Sequence, residues 1–570
     1  MANTLLDLFE KNHQLLEWRD KVTLLSRQLV MGFSGSSKAV VMASALSEQV
    51  PKILIVTSTQ NEAEQLIGDL SAILGEDKVY SFFADDVVAA EFIFASPEKT
   101  HSRLESLNFL MDKEASGVLV TSLVGTKLHL PNPKVYKDSR IDLTLGEEHD
   151  LEALSKHLTH IGYQRVEQVL SPGEFSRRGD ILDIYELTAE LPYRLEFFGD
   201  EIDGIRKFDS DSQKSLDNLE HVIVSPADDI ILTREDYQRA EKALESAVSK
   251  AEGPHKAYLE EVLSVTIDGY RHKDLRKFLS LFYDKAYTLF DYLPKGTPVF
   301  IDDFQKIVDR HGRLELEVAN LLTEDLHQGK SLSHLNYLVD SFKTLRNYQP
   351  ASFFSNFHKG LGNLKFDKLY QFTQYPMQEF FNQFPLLVDE IHRYTKNKAT
   401  VILQVGSEKQ LKSLKETLEE YDLDLPLSSL GDLIPHKPQL VLGNLSNGFY
   451  FADEKLVLVT EREIFHKKVK RRARASHVSN AERLKDYNEL EKGDYVVHQT
   501  HGIGQFKGIE TIEIKGVHRD YLTIQYQDAA TISLPVEQIE SLSKYVSADG
   551  KEPKINKLND GRFQKTKQKV

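Results

Sequence analysis

At 570 residues the chain exceeds what one hydrophobic core can organise, and about 100 to 200 residues per domain gives roughly three to five domains. Hydrophobic residues at 41% and charged residues at 28% exclude wholesale disorder, and the absence of cysteine excludes disulfides, thiolate metal sites and cysteine nucleophiles. A net charge of −16 argues against sequence-independent DNA binding over the whole surface, because neutralising phosphates needs clustered Lys and Arg.

The N-terminus has no basic stretch before an apolar core, and no later stretch approaches the roughly 18 apolar residues of a membrane span, so a cytoplasmic location without membrane contact is expected. Residues 1–128 alternate helical patterns with apolar runs. Lys52 to Val56 and Gly117 to Val120 are expected as buried strands, with a helix from near Asn61 that presents Ala63, Leu66, Ile67 and Leu70 on one face. This is βαβ logic and predicts a parallel α/β sheet.

Residues 129–214 change to strand and turn, with a hairpin around Gly199 and Asp200. Helical patterns return over 215–350, interrupted by an apolar strand from Pro298 to Ile301 that ends in Asp302 and Asp303. A further small α/β domain is expected over 351–460, with strands at 400–403 and 455–459. Residues 461–488 form a linker whose segment 467–474 (KKVKRRAR) is either a solvated tether or a weak contact for DNA. Short strands with glycine turns over 489–547 predict a small β-barrel. The fold class is therefore multidomain α/β with a β-rich insertion and a C-terminal barrel.

Gly32, Phe33, Ser34, Gly35, Ser36, Ser37, Lys38 and Ala39 have the outline of a phosphate loop placed before a helix. Ser37 stands where a second glycine lets backbone N–H groups close on phosphate, and Ala39 stands where a hydroxyl would reach Mg²⁺. Lys38 survives. Without the metal the developing phosphoryl charge loses its main clamp, so this degenerate site is expected to perform no hydrolysis. Asp302 is either a relic of the acidic metal-binding strand end or a solvated strand end.

A degenerate phosphate loop followed by a β-rich insertion resembles the excision-repair protein UvrB. Residues 173–184 (GEFSRRGDILDI) and 194–202 (RLEFFGDEI) are similar to the UvrB domain that docks on UvrA. The aromatic hairpin of UvrB is absent, and 82–88 (FFADDVV) stands near its place. With 459–465 (VTEREIF) and 496–504 (VVHQTHGIG) added, the whole chain resembles the transcription-repair coupling factors. The resemblance implies a UvrB-like domain split into 1–128 and 215–350, with a UvrA-binding domain between them. It also implies that Arg165, Arg178 and Phe175 carry the UvrA contact, with Ser176 in place of an arginine found in UvrB. The alternative for both arginines is ordinary solvation. Replacing them together is expected to abolish UvrA capture and leave the melting temperature unchanged.

The C-terminal module, with glycines at 493, 502, 504, 508 and 516, is similar to CarD-type domains, which implies binding to the RNA polymerase β subunit. Ile512, Glu513 and Ile514 are candidates for that contact through an exposed strand edge, or the isoleucines fill the barrel. His498 and His501 flank a turn with no third ligand near, so no metal site is expected. The resemblance further implies an ATP-dependent DNA translocase beyond 548–570, read as the start of a connecting helix. ATP and Mg²⁺ are expected only there. The present chain is expected to be an adaptor without cofactor, whose UvrA surface is accessible.

Overall fold

The computed structural model describes residues 4–9, 12–85, 97–210, 212–355, 361–466, 492–498, 502–514, 517–527, 530–535 and 542–544. Two compact units emerge: Met1–Asp142 with His160–Gly162 and Ile223–Arg474, and Leu143–Thr159 with Tyr163–Val222 and Ala475–Val570.

The first unit is organised by strands whose side chains are apolar on both faces. Such strands need cover on both sides and therefore settle in the middle of α/β layers. Seven form an all-parallel sheet in the order Lys368–Gln371, Arg27–Met31, Ala351–Ser355, Val299–Asp302, Lys52–Thr57, Gly117–Ser122, Val79–Phe82. The helix Gln60–Leu74 starts at Thr59, whose side chain accepts from the Glu62 N–H, and it buries Ala63, Leu66 and Leu70. Trp18, fully buried, donates from its indole to Ser352 Oγ at 3.0 Å and packs against Phe300 and Phe354.

A second sheet in this unit runs Gln374–Pro376, Phe449–Phe451, Leu456–Val459, Thr400–Val405, Pro438–Leu442, Leu427–Ser428. Its first two strands are antiparallel to their neighbours and the rest are parallel. Ile402, Val441, Phe449 and Leu458 on one face share a single apolar core with Val30 and Ile55 of the first sheet and Val40 of the helix Ser36–Ser44. The opposite face has its own core around Val401, Leu403, Leu414 and Ile464.

In the second unit, six strands run Ser215–Leu219, Glu201–Phe208, Tyr193–Phe198, Ile181–Ile184, Glu174–Arg178, Gln164–Arg165. All neighbours are antiparallel except the last pair. The C-terminal strands form a five-stranded antiparallel sheet around Val496, Phe506, Leu522, Ile524, Tyr526 and Leu534.

Three expected boundaries shift. Ala351–Ser355 and Lys368–Gln371, expected to open a separate domain at 351, pair inside the first sheet, because their apolar residues complete a layer that residues 1–128 leave open. The inserted sheet runs past 214 through Ser215–Leu219. Glu461–Phe465, expected in the linker, is a capped helix of the second sheet: the buried Glu463 carboxylate accepts from the Thr460 and Gly448 N–H groups at 2.9 and 3.0 Å. The basic segment 467–474 and residues 548–570 lie outside the described residues. No helix among those described is long and apolar enough to cross a membrane.

Candidate partner surfaces and the phosphate-loop position

Strand Arg27–Met31 delivers the chain into the loop, and helix Ser36–Ser44 leaves it. Gly32 has φ +95°, and a Cβ there would lie 1.9 Å from the Phe372 carbonyl oxygen, so only glycine fits. The loop therefore keeps the turn of a phosphate cradle. The Ser34 N–H and the Ser36 and Ser37 hydroxyls, however, are engaged within the chain. Gln374 Oε1 accepts from the Ser34 N–H at 3.0 Å and from the Ser37 hydroxyl, while its Nε2 donates to Ser34 Oγ at 3.1 Å.

Ser36 Oγ donates to Asp69 Oδ2 at 2.9 Å and accepts from the Asn447 N–H at 2.9 Å. Asp69, buried, also accepts from the Ser446 N–H at 2.7 Å and hydroxyl at 2.8 Å. Around Gly35, a Cβ would stand 2.9 Å from the Asn447 side chain. Lys38 and Asp302, expected from sequence as relics of one site, are brought together as a direct ion pair. Ala39 is completely buried and offers no hydroxyl to a metal. Gln374, Ser446 and Asn447 gave no signal in the sequence, since nothing local marks them as partners of a loop 340 or more residues away, and nothing marks Asp69, 33 residues from Ser36, as the acceptor between them.

In the inserted sheet the candidate residues part company. Phe175 is fully buried, opposite Ile184 and among Leu182 and Leu195. It is a core residue and not the exposed UvrA contact expected from its motif, because strand alternation turns it onto the face that packs inward. Arg165 is exposed and lies beside Phe175 in the parallel register, whereas Arg178 is three residues further along that strand and on the opposite face. The two arginines do not form a pair.

Arg178, half-exposed, donates to Asp183 Oδ2 at 2.6 Å. Asp183 is completely buried and also receives Arg194 through Nε at 2.7 Å and Nη2 at 2.9 Å, with the Arg194 guanidinium 4.4 Å from the Phe208 ring. The hydrogen bonds to Asp183 raise the Arg194 pKa against the opposing effect of burial. Arg177 points to the other face, as expected, and pairs with Glu152 at 2.7 Å. Ser176 is buried and donates to the Glu167 carbonyl at 2.7 Å.

Phe198 was not among the expected residues. It is 82% exposed at the hairpin turn and shares strand parity with Arg194 and Glu196, on the Asp183 face. The signal available was its place beside Gly199 in a run where Leu195 and Phe197 already fill the inward positions.

In the C-terminal sheet the long strand Gly502–Ile514 pairs with Tyr495–His498 only through residues 502–505, and with Val517–Gln525 from 505 to 514. From Ile509 onward no described strand covers its other edge. Ile512, Glu513 and Ile514 stand opposite Arg519, His518 and Val517 in this arm. Their side chains, and His501, lie outside the described residues.

Family models match three parts of the chain: the UvrB interaction domain over residues 141–229, the MFD D3 domain over 394–464, and the CarD-like/TRCF RID domain over 490–546. The transcription-repair-coupling factor of Bacillus subtilis (strain 168) is 34% identical over 558 residues, 96% of this chain and 47% of the relative. Those of Staphylococcus haemolyticus (strain JCSC1435) and Staphylococcus aureus (strain MRSA252) are 31% and 30% identical over 552 residues, each covering 95% of this chain and 47% of the relative. The chain spans about half the length of the curated relatives it matches.

Proposed function

Since the chain corresponds, by three successive domain models and by similarity over nearly its whole length, to the amino-terminal half of the transcription-repair-coupling factors, we propose that it is an adaptor. It joins RNA polymerase stalled at DNA damage to the excision-repair protein UvrA. It performs no nucleotide chemistry of its own. ATP, Mg²⁺ and DNA translocation belong to the other half of such proteins, and DNA contact by this half is weak.

The observation that carries the proposal is the loop whose Ser34 N–H and Ser37 hydroxyl are already taken by Gln374 and whose lysine is paired with Asp302. An incoming triphosphate would have to displace these partners without a metal hydroxyl to hold the ion.

On the inserted sheet the docking face is the one that carries Arg178 and Phe198, whereas Arg165 is exposed on the other face of the edge strand. An exposed aromatic is a usual anchor of a protein interface, and an arginine on the same face adds a second kind of contact. Polymerase is met by strand addition on the arm from Ile509 to Ile514, whose other edge no described strand covers, through its backbone N–H and C=O groups.

The test mixes the chain separately with UvrA and with the polymerase β lobe and follows co-elution. Two complexes are expected. Phe198→Ala is expected to weaken UvrA capture at least tenfold at an unchanged melting temperature, and a deletion of 510–519 to remove polymerase capture alone. Phosphate release from Mg-ATP that disappears in Lys38→Ala would replace this reading with that of a residual ATPase.

A further inference from the structure

Lys52 opens the strand Lys52–Thr57 and is only 5% exposed. Its ammonium donates to the carbonyl oxygens of Leu110, at 3.3 Å, and of Asp112, and stands 5.1 Å from the Phe109 ring. These carbonyls close the C-terminal end of helix Pro97–Met111, whose dipole offsets part of the charge. An ammonium has three N–H groups, and the third meets no carboxylate: none lies within 4.0 Å of Lys52 among the described residues. The Asp112 carboxylate itself accepts from the Glu114 N–H at 3.0 Å and reaches Lys52 only through its field. Burial pushes the Lys52 pKa down, and Asp112 opposes it.

Lys52 lines a cavity of about 250 Å³ together with Gln49, Lys113 and Lys295. Every charged residue lining it is a lysine. Neither Lys113 nor Lys295 has an ion-pair partner among the described residues, in a chain with 87 acidic and 71 basic residues. Lys295 is delivered by a tight turn in which the Thr297 N–H donates to the Pro294 carbonyl at 3.1 Å and Gly296 takes φ +86°. Three cations around one small concavity repel one another, and the nearby low-dielectric wall strengthens any anion that joins them. The cavity lies at the N-terminal ends of the sheet strands, opposite the end that carries Lys38 and Asp302.

We propose that this cavity is a binding site for a small phosphate-bearing anion, held by Lys52 at its base and by Lys113 and Lys295 at its mouth. The volume suits a phosphate or pyrophosphate group, free or at the end of a nucleotide.

The test measures thermal stabilisation of the whole chain by inorganic phosphate, pyrophosphate and AMP, with ionic strength held constant by chloride. Pyrophosphate is expected to stabilise saturably, with a half-point of about 1 mM or below. Lys113→Ala with Lys295→Ala, both surface positions, is expected to raise that half-point at least tenfold, while Lys38→Ala leaves it unchanged. Stabilisation by AMP as tight as by pyrophosphate assigns the site to nucleotide phosphates, and pyrophosphate alone assigns it to the free anion. Lys52→Met, accepted once its far-ultraviolet spectrum matches the parent, is expected to abolish the response. No stabilisation beyond chloride, a response indifferent to the lysine pair, or one lost in Lys38→Ala overturns the proposal.

Discussion

Asp183 shows how one side chain changes what its neighbours can do. A carboxylate with no exposure must be neutralised and hydrogen-bonded, and here two arginines supply three hydrogen bonds. Arg194 supplies two of them from a largely buried position, and Arg178 supplies one from a half-exposed position. Arg194→Ala is therefore expected to cost about 3 kcal/mol and Arg178→Ala only about 1 kcal/mol, read from urea unfolding of the two variants. Equal costs would mean that Asp183 draws no more from Arg194 than from the surface. Since Arg178 bonds the buried Asp183, its removal together with Arg165 is expected, on the structure, to lower the melting temperature rather than leave it unchanged. Phe198, which touches no such cluster, gives the cleaner probe of the interface.

Between elements, the loop 32–36 and the segments 374 and 446–447 act as a joint between the two sheets of the first unit. The apolar part of this joint is the shared core, and its polar part is centred on Asp69. A buried carboxylate receiving two hydroxyls and a backbone N–H leaves those donors unpaired when it is removed. Ser36 and Ser446, 3.3 Å apart, can recover part of the loss by bonding to each other. Asp69→Ala is expected to destabilise by about 2 kcal/mol, and Asp69→Asn by less, because an amide oxygen still accepts. Guanidinium titration checks the order, and an alanine variant as stable as the parent would show that apolar packing alone holds the sheets together.

For the molecule as a whole, pH reports on buried histidine. His129 is 7% exposed, with Nε2 at 2.8 Å from the Asn336 carbonyl and no partner for Nδ1 among the described residues. Burial lowers its pKa, and the Asn336 hydrogen bond opposes this only in part. The unfolded chain, with histidine near about 6.5, then binds more protons than the folded chain just below that pH, so stability falls as the pH drops through this window. The buried carboxylate Asp229 does not interfere: burial opposes its ionisation, but Arg276 and Arg103 outweigh that and hold it well below the usual carboxylate range. Its contribution is lost only in stronger acid. The urea midpoint of the first unit is expected to fall from pH 7.5 to pH 5.5, and to fall less in His129→Gln. An identical slope in the variant would assign the effect to other groups, His311 first, whose pKa burial and Lys127 also lower.

Element types were legible in the sequence wherever neighbouring residues decide them. The continuous apolar runs at 52–57, 117–122 and 400–405 are buried strands, the period of Ala63, Leu66 and Leu70 is a helix face, and the Gly199–Asp200 turn is a hairpin. The loss of the closing glycine and the metal hydroxyl at 37 and 39 is likewise a property of eight consecutive residues. Only the tertiary structure decided what fills the emptied cradle, because Gln374 and Asn447 are brought there by sheet packing across 340 and 411 residues. Packing also decided that 351–371 completes the first sheet, that Phe175 faces inward and that Arg165 and Arg178 stand on different faces. Periodicity fixes which residues share a face, whereas which face finds cover depends on the register and on apolar partners far along the chain.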